Sequence, residues 1–591
     1  MISILSTNIT SPLGFTTEQN YRAVRSGVSA LKRYEGLWGL PEPFVASLFS
    51  EEQKATLALD GYTCFESLAI HSVREALSHT QLDVTSPKVI LILSTTKGNI
   101  GQSPSEAAQR IAAAIGLTTT PIVVCNACVS GLSAQLLADH LLSTGFYDYA
   151  IVVGAEVQSK FIISGFQSLK AVSDEPCRPF DIERNGLNPG EAAATIIFKK
   201  EASSNSTYWY LVNGATCNDA FHISSPSPQA NGLTAAIESV MKGQDKSEFA
   251  SICVHGTATL YNDQMESKAI QRAGLSDIPL SALKGYYGHT MGAAGVLETI
   301  LAMCATDDGI VLPSKGFTEL GVSGDVRINM SPQPLSGGEK NAFLKILSGF
   351  GGCNVAAIYK KGFDNEQLKT DLRTLSAHLD AKASRNILRS DQAQVEQWRA
   401  SHTVRITPTE VSVDGQRIPT SEIGEKMLTE IYNKQIGNYP KFHKMDILSR
   451  LAFVAAELLK LPSNSPVEGE RHEVSPSSEG LEGSPIILFN HSSSIVADRQ
   501  FLSTISDTNN FFPSPSVFVY TLPNIAAGEL AIRHHSPGET SFYILPEKND
   551  ALTQQILKAS LLATNATSVI SGWIDAESET TFECNLSLIE N

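Results

Sequence analysis

One of the nine cysteines in the chain, Cys128, stands where a cysteine can do chemistry. The segment Pro121-Ile-Val-Val-Cys-Asn-Ala-Cys128-Val-Ser-Gly131 reads as a buried strand, a tight turn at Ser130-Gly131 and a helix starting at Leu132. A thiol at that junction lies at the positive end of the helix dipole, which favours the thiolate. Backbone N–H groups beside such a nucleophile can hold an oxyanion, as in the strand-turn-helix elbow of hydrolases. A buried structural cysteine is the competing reading. Cys125-x-x-Cys128 is also the spacing of a redox pair or half a zinc site, but no second CxxC or histidine pair at metal spacing accompanies it.

Two histidines lie in short glycine-bearing loops, Val254-His255-Gly-Thr257-Ala-Thr259 and Lys284-Gly-Tyr-Tyr-Gly-His289-Thr-Met-Gly-Ala-Ala-Gly295. A histidine at a strand end is often only a satisfied structural residue. Both of these follow short apolar strands, where loops present functional groups from a rigid scaffold. The run Gly349-Phe350-Gly351-Gly352-Cys353-Asn354 reads either as a plain tight turn or as a loop whose glycines allow positive φ and close backbone approach.

These residues need a rigid frame, and the first 360 residues read as one. Strands are expected at 89–93, 122–124, 150–153 and 195–198, and helices at 64–77 and 132–142. Several strands lack polar alternation, so both faces should be covered, which predicts a layered α/β body. From about 361 to 425 the composition turns polar, suggesting a helical connector and a hairpin within VRITPTEVSVDGQRIP. The Ser-, Glu-, Gly- and Pro-rich stretch at 463–485 reads as a loop inside the last unit.

A chain of 591 residues exceeds one ordinary core. Its 42% hydrophobic and 18% charged residues are globular, and no apolar run is long enough to span a membrane. The N-terminus carries no signal-peptide pattern, and nine irregularly spaced cysteines do not form a disulfide framework; both predict a cytoplasmic protein. Sixty-one acidic against 45 basic residues, without a Lys/Arg block, argue against nucleic acid as a partner.

The blocks CNACVSG, CRPFDIERNGLNPGEAA, HGTATLYNDQMESKA, SALKGYYGHTMGAAG and GFGGCN resemble, in order and spacing, those of the β-ketoacyl synthases of fatty-acid and polyketide synthesis. The resemblance covers roughly residues 1 to 360. It implies a thiolase-like α/β/α/β/α layered fold of two similar halves, usually paired into a dimer. It implies Cys128 as acyl-carrying nucleophile, His255 and His289 as the donors that stabilise an enolate after decarboxylation, and Lys284 and Glu298 as residues orienting the His289 loop. Phe350, with Gly349 and Gly351, would form a gate, and Thr257 and Thr259 would line the substrate site. Arg178, Asp181 and Glu191 match scaffold positions. Ser348 departs from the family, which commonly has Phe there. The implied partner is a separate acyl carrier protein bearing phosphopantetheine-linked acyl and malonyl groups, with no cofactor and no metal; no carrier motif is visible in this chain. Two readings stand beside it: a non-catalytic chain-length-factor-like scaffold, and an initiation-type or thiolase enzyme, which the GHT histidine disfavours.

From 426 to 591 the chain repeats the grammar of its first part, implying a partial thiolase-like α/β unit. The expected matches set 445–459 against the helix at 64–77, 485–494 against the strand at 89–93, 514–535 against the cysteine segment, and 540–547 against the strand at 150–153. That register puts Ile525 at the place of Cys128 and silences the unit. The unit is similar, more loosely, to truncated synthase-like proteins of aryl-polyene and flexirubin-type clusters, which implies a role in shaping the tunnel or the carrier's docking. His491, His534 and His535 lack ligand-spaced companions.

Overall fold

The computed structural model describes residues 2–201, 208–335, 340–362, 398–460, 483–507, 511–564 and 566–590. Three five-stranded patterns succeed one another along the chain. The first comprises β1 (Ile2–Thr10), α1 (Cys64–Ser78), β2 (Val89–Ser94), α2 (Pro104–Ala114), β3 (Ile122–Val124), α3 (Ser130–Ser143), β4 (Tyr149–Glu156) and β5 (Ala192–Lys200). In space the strands run β3-β2-β4-β5-β1, with β2 parallel to both β3 and β4, and β5 antiparallel to both β4 and β1.

The second pattern comprises β6 (Trp209–Asn218), α4 (Asn231–Met241), β7 (Phe249–Cys253), α5 (Leu260–Arg272), β8 (Pro279–Ser281), α6 (Ala294–Asp307), β9 (Ala342–Gly349) and β10 (Cys353–Lys361). Its order, β8-β7-β9-β10-β6, repeats the first. All residues of β2, β3 and β7 are buried, as near-continuous apolar runs covered on both faces must be. The expected helices and strands of the first half are present: the strand at 122–124 has the expected bounds, and the others run longer by one to five residues.

The third pattern comprises β11 (Arg399–Thr407), β12 (Glu410–Val413), β13 (Gln416–Ile418), α7 (Ile447–Leu458), β14 (Ile486–Asn490), α8 (Ile495–Ile505), α9 (Pro515–Tyr520), α10 (Ile525–Arg533), β15 (Thr540–Ile544), α11 (Asp550–Thr564), β16 (Ser568–Ser578) and β17 (Thr581–Glu590). The order β15-β14-β16-β17-β11 is again the same. The C-terminal unit is therefore one half-fold. The expected hairpin belongs to it, because β11 pairs with β17; the unit's structure begins by residue 399 instead of 426. The expected connector helix lies outside the described residues, as does most of the 463–485 stretch.

The topology corrects the repeat register. β15 occupies the place of β3, and β16 that of β4. The run Val517-Phe-Val-Tyr520, read as the strand before a nucleophile, is helical in α9. Ser514 caps that helix by accepting from Val517 N–H, and Pro515 presets its first turn. Ile525 therefore opens a helix between the second and third strands and is not the counterpart of Cys128. The true counterpart is the loop after β15, Leu545-Pro-Glu-Lys-Asn549, which also holds no cysteine.

The C-terminal half-fold docks on the edge of the first. β15 pairs antiparallel with β3 (Tyr543 opposite Val124, Ile544 opposite Val123), Cys125 N–H donates to Phe542 C=O, and Asn126 Oδ1 accepts from Phe542 N–H. The β3 edge of the first half is thus filled by the chain itself. No helix among the described residues is long and apolar enough to cross a membrane.

Candidate active site

Cys128 lies in a single 3₁₀ turn, Ala127–Val129, between β3 and α3. Ala127 adopts φ +48, a left-handed conformation costly for alanine, and so turns the chain sharply just before Cys128. Ser130 Oγ braces the turn, donating to Ala127 C=O (2.6 Å) and accepting from Asn126 N–H (2.8 Å). His289 follows β8 in the second half, the topological counterpart of Cys128, and His255 follows β7. All three groups stand at strand C-termini, the usual functional end of such sheets.

The sulfur of Cys128 and a ring nitrogen from each histidine lie within 4.8 Å of one another, and the two imidazoles meet edge to face at 5.0 Å. They face a cavity of about 330 Å³ that also bears Thr257, Thr259, Gly349 and Phe350. Of the expected site residues, Gly351 is set back from the wall: its carbonyl accepts from Asn218 Nδ2 at 2.8 Å. Gly349 brings the backbone before Phe350 close to Cys128; a Cβ there would stand 3.3 Å from Cys128 N.

Each histidine loop is held by a buried carboxylate. Glu266 accepts from the N–H groups of His255 and Gly256, both at 2.7 Å. Glu156 accepts from Thr96 N–H at 3.0 Å and Gly292 N–H at 3.1 Å, tying the His289 loop to the end of β2. Burial pushes both carboxyls up to about 7, against the pull of those N–H donors.

Lys284 donates to His255 C=O (2.5 Å) and to Glu298 (2.7 Å). It therefore steadies the His255 loop directly, whereas the His289 loop was the expected target. Glu298 holds a second cation on its other oxygen, Lys345 Nζ at 2.7 Å, and that ammonium also reaches Cys253 C=O at 3.3 Å and Val254 C=O at 3.4 Å. The two lysines hold the Glu298 carboxyl below its ordinary range despite burial, and Glu298 with its neighbours lifts Lys345. Sequence reasoning missed Lys345. Its signal was there: a lone lysine inside the apolar strand AFLKILSG.

Desolvation, reinforced by Lys284 and Lys345, drives both imidazoles well below the usual histidine value, so both are neutral near pH 7. His289 Nδ1 accepts from Met291 N–H at 3.2 Å, which puts its proton on Nε2. That Nε2 is buried without a protein partner, as is Nδ1 of His255. Burial raises the Cys128 thiol to about 12, with Lys284 pulling the other way. Burial therefore favours the thiol, against the thiolate that the helix end was expected to favour. Cys125, also pushed up to about 12, donates to Thr96 C=O at 3.5 Å, and no cysteine forms a disulfide among the described residues.

Asp181 and Glu191 serve the scaffold, Asp181 accepting from Thr318 and Glu319 N–H and Glu191 from Phe49 and Gln158 N–H. Ser348, where a Phe was expected, donates to Asn354 Oδ1 at 2.7 Å.

Comparison with known proteins bears on this geometry directly. Residues 71–204 match the beta-ketoacyl synthase, N-terminal domain, and residues 210–318 the beta-ketoacyl synthase, C-terminal domain. The fold is the thiolase-like ketosynthase fold. A solved structure described as PfaC Keto synthase-Chain length factor superposes over 100% of this chain and 78% of its own, with a TM-score of 0.72 at 12% identity. A type II PKS acyl-carrier protein in complex with its ketosynthase matches 61% of this chain and 99% of its own, with a TM-score of 0.53 at 18% identity. The 3-oxoacyl-[acyl-carrier-protein] synthase 2 of Mycobacterium leprae is 31% identical over 42% of this chain and 63% of its own length. Across the first curated relatives the match spans 60 to 67% of the relative.

Proposed function

We propose that this chain is a β-ketoacyl synthase, joining an acyl thioester to a malonyl thioester in fatty-acid or polyketide synthesis. The observation that carries the reading is the trio of Cys128 Sγ and two neutral imidazoles, gathered within 4.8 Å on one open cavity.

In the first step Cys128 sulfur attacks the acyl carbonyl of a carrier-bound thioester. The new C–S bond forms, the carrier's C–S bond breaks, and the carrier thiol leaves with a proton. The Cys128 thiol is the proton's source. His255 is the ring free to relay it, because His289 has its Nδ1 occupied and presents a donor. In the second step the malonyl group loses CO2, and the electron pair of the broken C–C bond becomes an enolate. His289 Nε2–H, with His255, donates to the enolate oxygen. Neutral donors suit this role, since they stabilise the developing charge without giving up a proton outright. The carbanion then forms a C–C bond to the Cys128-bound carbonyl carbon, the C–S bond to Cys128 breaks, and the departing thiolate takes up one proton from water, the proton that the condensation consumes. Lys284, Glu298 and Lys345 act as positioning residues behind the histidines.

The C-terminal half-fold supplies no nucleophile and shapes the inner wall of the acyl site. An acyl carrier protein is the implied partner and the cytoplasm the implied compartment. A polyene-type pathway is the narrower reading, resting on the resemblance of the C-terminal unit. Incubation with acyl-carrier thioester should give an acyl mass adduct on Cys128, discharged by malonyl-carrier as a 3-oxoacyl thioester. An unmodified Cys128 under turnover conditions refutes the enzyme and leaves the scaffold reading. A co-purified carrier with its acyl chain would read out the pathway.

A further inference from the structure

Asn524 stands at the N-cap of α10, where an asparagine ordinarily spends its side chain on the helix's own N–H groups. Here it makes no capping bond. Its Nδ2 crosses to the synthase body and donates to Phe350 C=O at 2.8 Å, while its Oδ1 is buried without a partner. Three successive carbonyls of the glycine-rich loop are satisfied: Gly351 by Asn218 at 2.8 Å, Gly352 by Asp219 N–H at 2.8 Å, and Phe350 by Asn524. The donor to Phe350 comes from the other half-fold. One turn along α10, Gly528 lies flat against the same loop, so that a Cβ added there would stand 2.8 Å from both Gly351 Cα and its carbonyl oxygen.

Phe350 is a partition. It lines the open cavity and also bounds a void of about 10 Å³ that Cys128 shares, floored by Phe518, Thr521 and Leu522 of the C-terminal unit. Phe166 backs the partition, with ring centroids 6.2 Å from Phe350 and 5.4 Å from Phe518. A void of that size holds about one water. An acyl chain longer than two or three carbons on Cys128 cannot extend inward unless Phe350 moves.

We propose that Asn524 is a positioning residue that latches the Phe350 loop shut from the C-terminal half-fold, and so sets the length of acyl chain that Cys128 accepts. The proposal rests on the synthase reading for its substrate, but the latch has a readout of its own. A bond of this kind shifts an open-closed ratio by roughly 3- to 10-fold. Asn524→Ala in the full chain should therefore raise the decanoyl-over-acetyl ratio of Cys128 loading by about 3- to 10-fold. It should also raise the rate at which iodoacetamide alkylates Cys128 by a similar factor. Gly528→Ala, which pushes on the same loop, should move both readouts the same way. If Asn524→Ala does not fold, Asn524→Ser, too short to span to Phe350, carries the test. Loading ratio and alkylation rate both within twofold of wild type overturn the latch and leave the synthase reading intact. Faster alkylation with no acyl loading at any length in wild type supports the latch and overturns the synthase reading.

Discussion

Lys345→Met tests the buried cation that sequence reasoning overlooked. The substitution keeps the length of the side chain but removes one of two ammoniums from Glu298 and the donor reaching Cys253 and Val254 carbonyls. Breaking a buried ion pair from one side costs about 3 to 5 kcal/mol. Glu298 keeps Lys284, which places the cost near the lower bound, at about 3 kcal/mol. A body of about 360 residues has an unfolding entropy near 0.75 kcal/mol/K, so Tm should fall by roughly 4 °C. The summed charge of Lys284, Glu298 and Lys345 also drops from +1 to zero. Lys345 is one of the cations holding both imidazoles down, so each should titrate at higher pH in the variant, moving the acid limb of the pH-rate profile upward. Differential scanning calorimetry beside a pH profile of condensation reads both effects. A Tm within 1 °C of wild type, with an unmoved acid limb, would refute the account of Lys345 as a charge that the site depends on.

Three further outcomes follow from the same geometry. His255 and His289 have folded pKa values well below the ordinary one, so below about pH 6.5 the unfolded chain binds more protons and stability is lost as pH falls. Glu156 and Glu266, with carboxyls raised to about 7, take up protons in the folded chain over the same range and oppose this loss, so the test is the difference: from pH 7 to 5 the Tm of wild type should fall relative to that of His289→Gln, and equal slopes would count against buried neutral imidazoles. With its thiol raised to about 12, free Cys128 should be alkylated ever faster from pH 6 to beyond 9, and a plateau near pH 7 would reveal a resting thiolate instead. Because β15 of the same chain pairs with β3, light scattering should find a 63.6 kDa monomer at micromolar concentration. A species of twice that mass persisting on dilution would mean that another surface pairs two chains.

How far the sequence reached can be judged residue by residue. Cys128, His255 and His289 were legible as candidates because each sits in a short, glycine-bearing segment, whereas Lys284 and Glu298 were named only through the family resemblance of their block. The strands of the first half were legible because burial on both faces writes itself as uninterrupted apolar runs. Lys345 was not, because its partner Glu298 is 47 positions away and lone lysines in strands usually point to solvent. The register of the C-terminal copy was misread for a related reason: Val517-Phe-Val-Tyr520 has strand composition, but Ser514 and Pro515 start a helix and tertiary packing keeps it.

What the sequence determined by itself was the set of candidate groups and the loops that carry them, since these depend on residue types at spacings of a few positions. What only the tertiary structure decided was their state and their company. Burial, a property of the whole fold, turned an expected thiolate into a thiol and both imidazoles into neutral groups. Strand pairing between residues more than 400 apart brought the C-terminal half-fold onto the edge beside Cys128 and set Asn524 against the Phe350 loop. No local spacing encodes either outcome, because each depends on which surfaces exclude water from which groups once the three patterns have packed together.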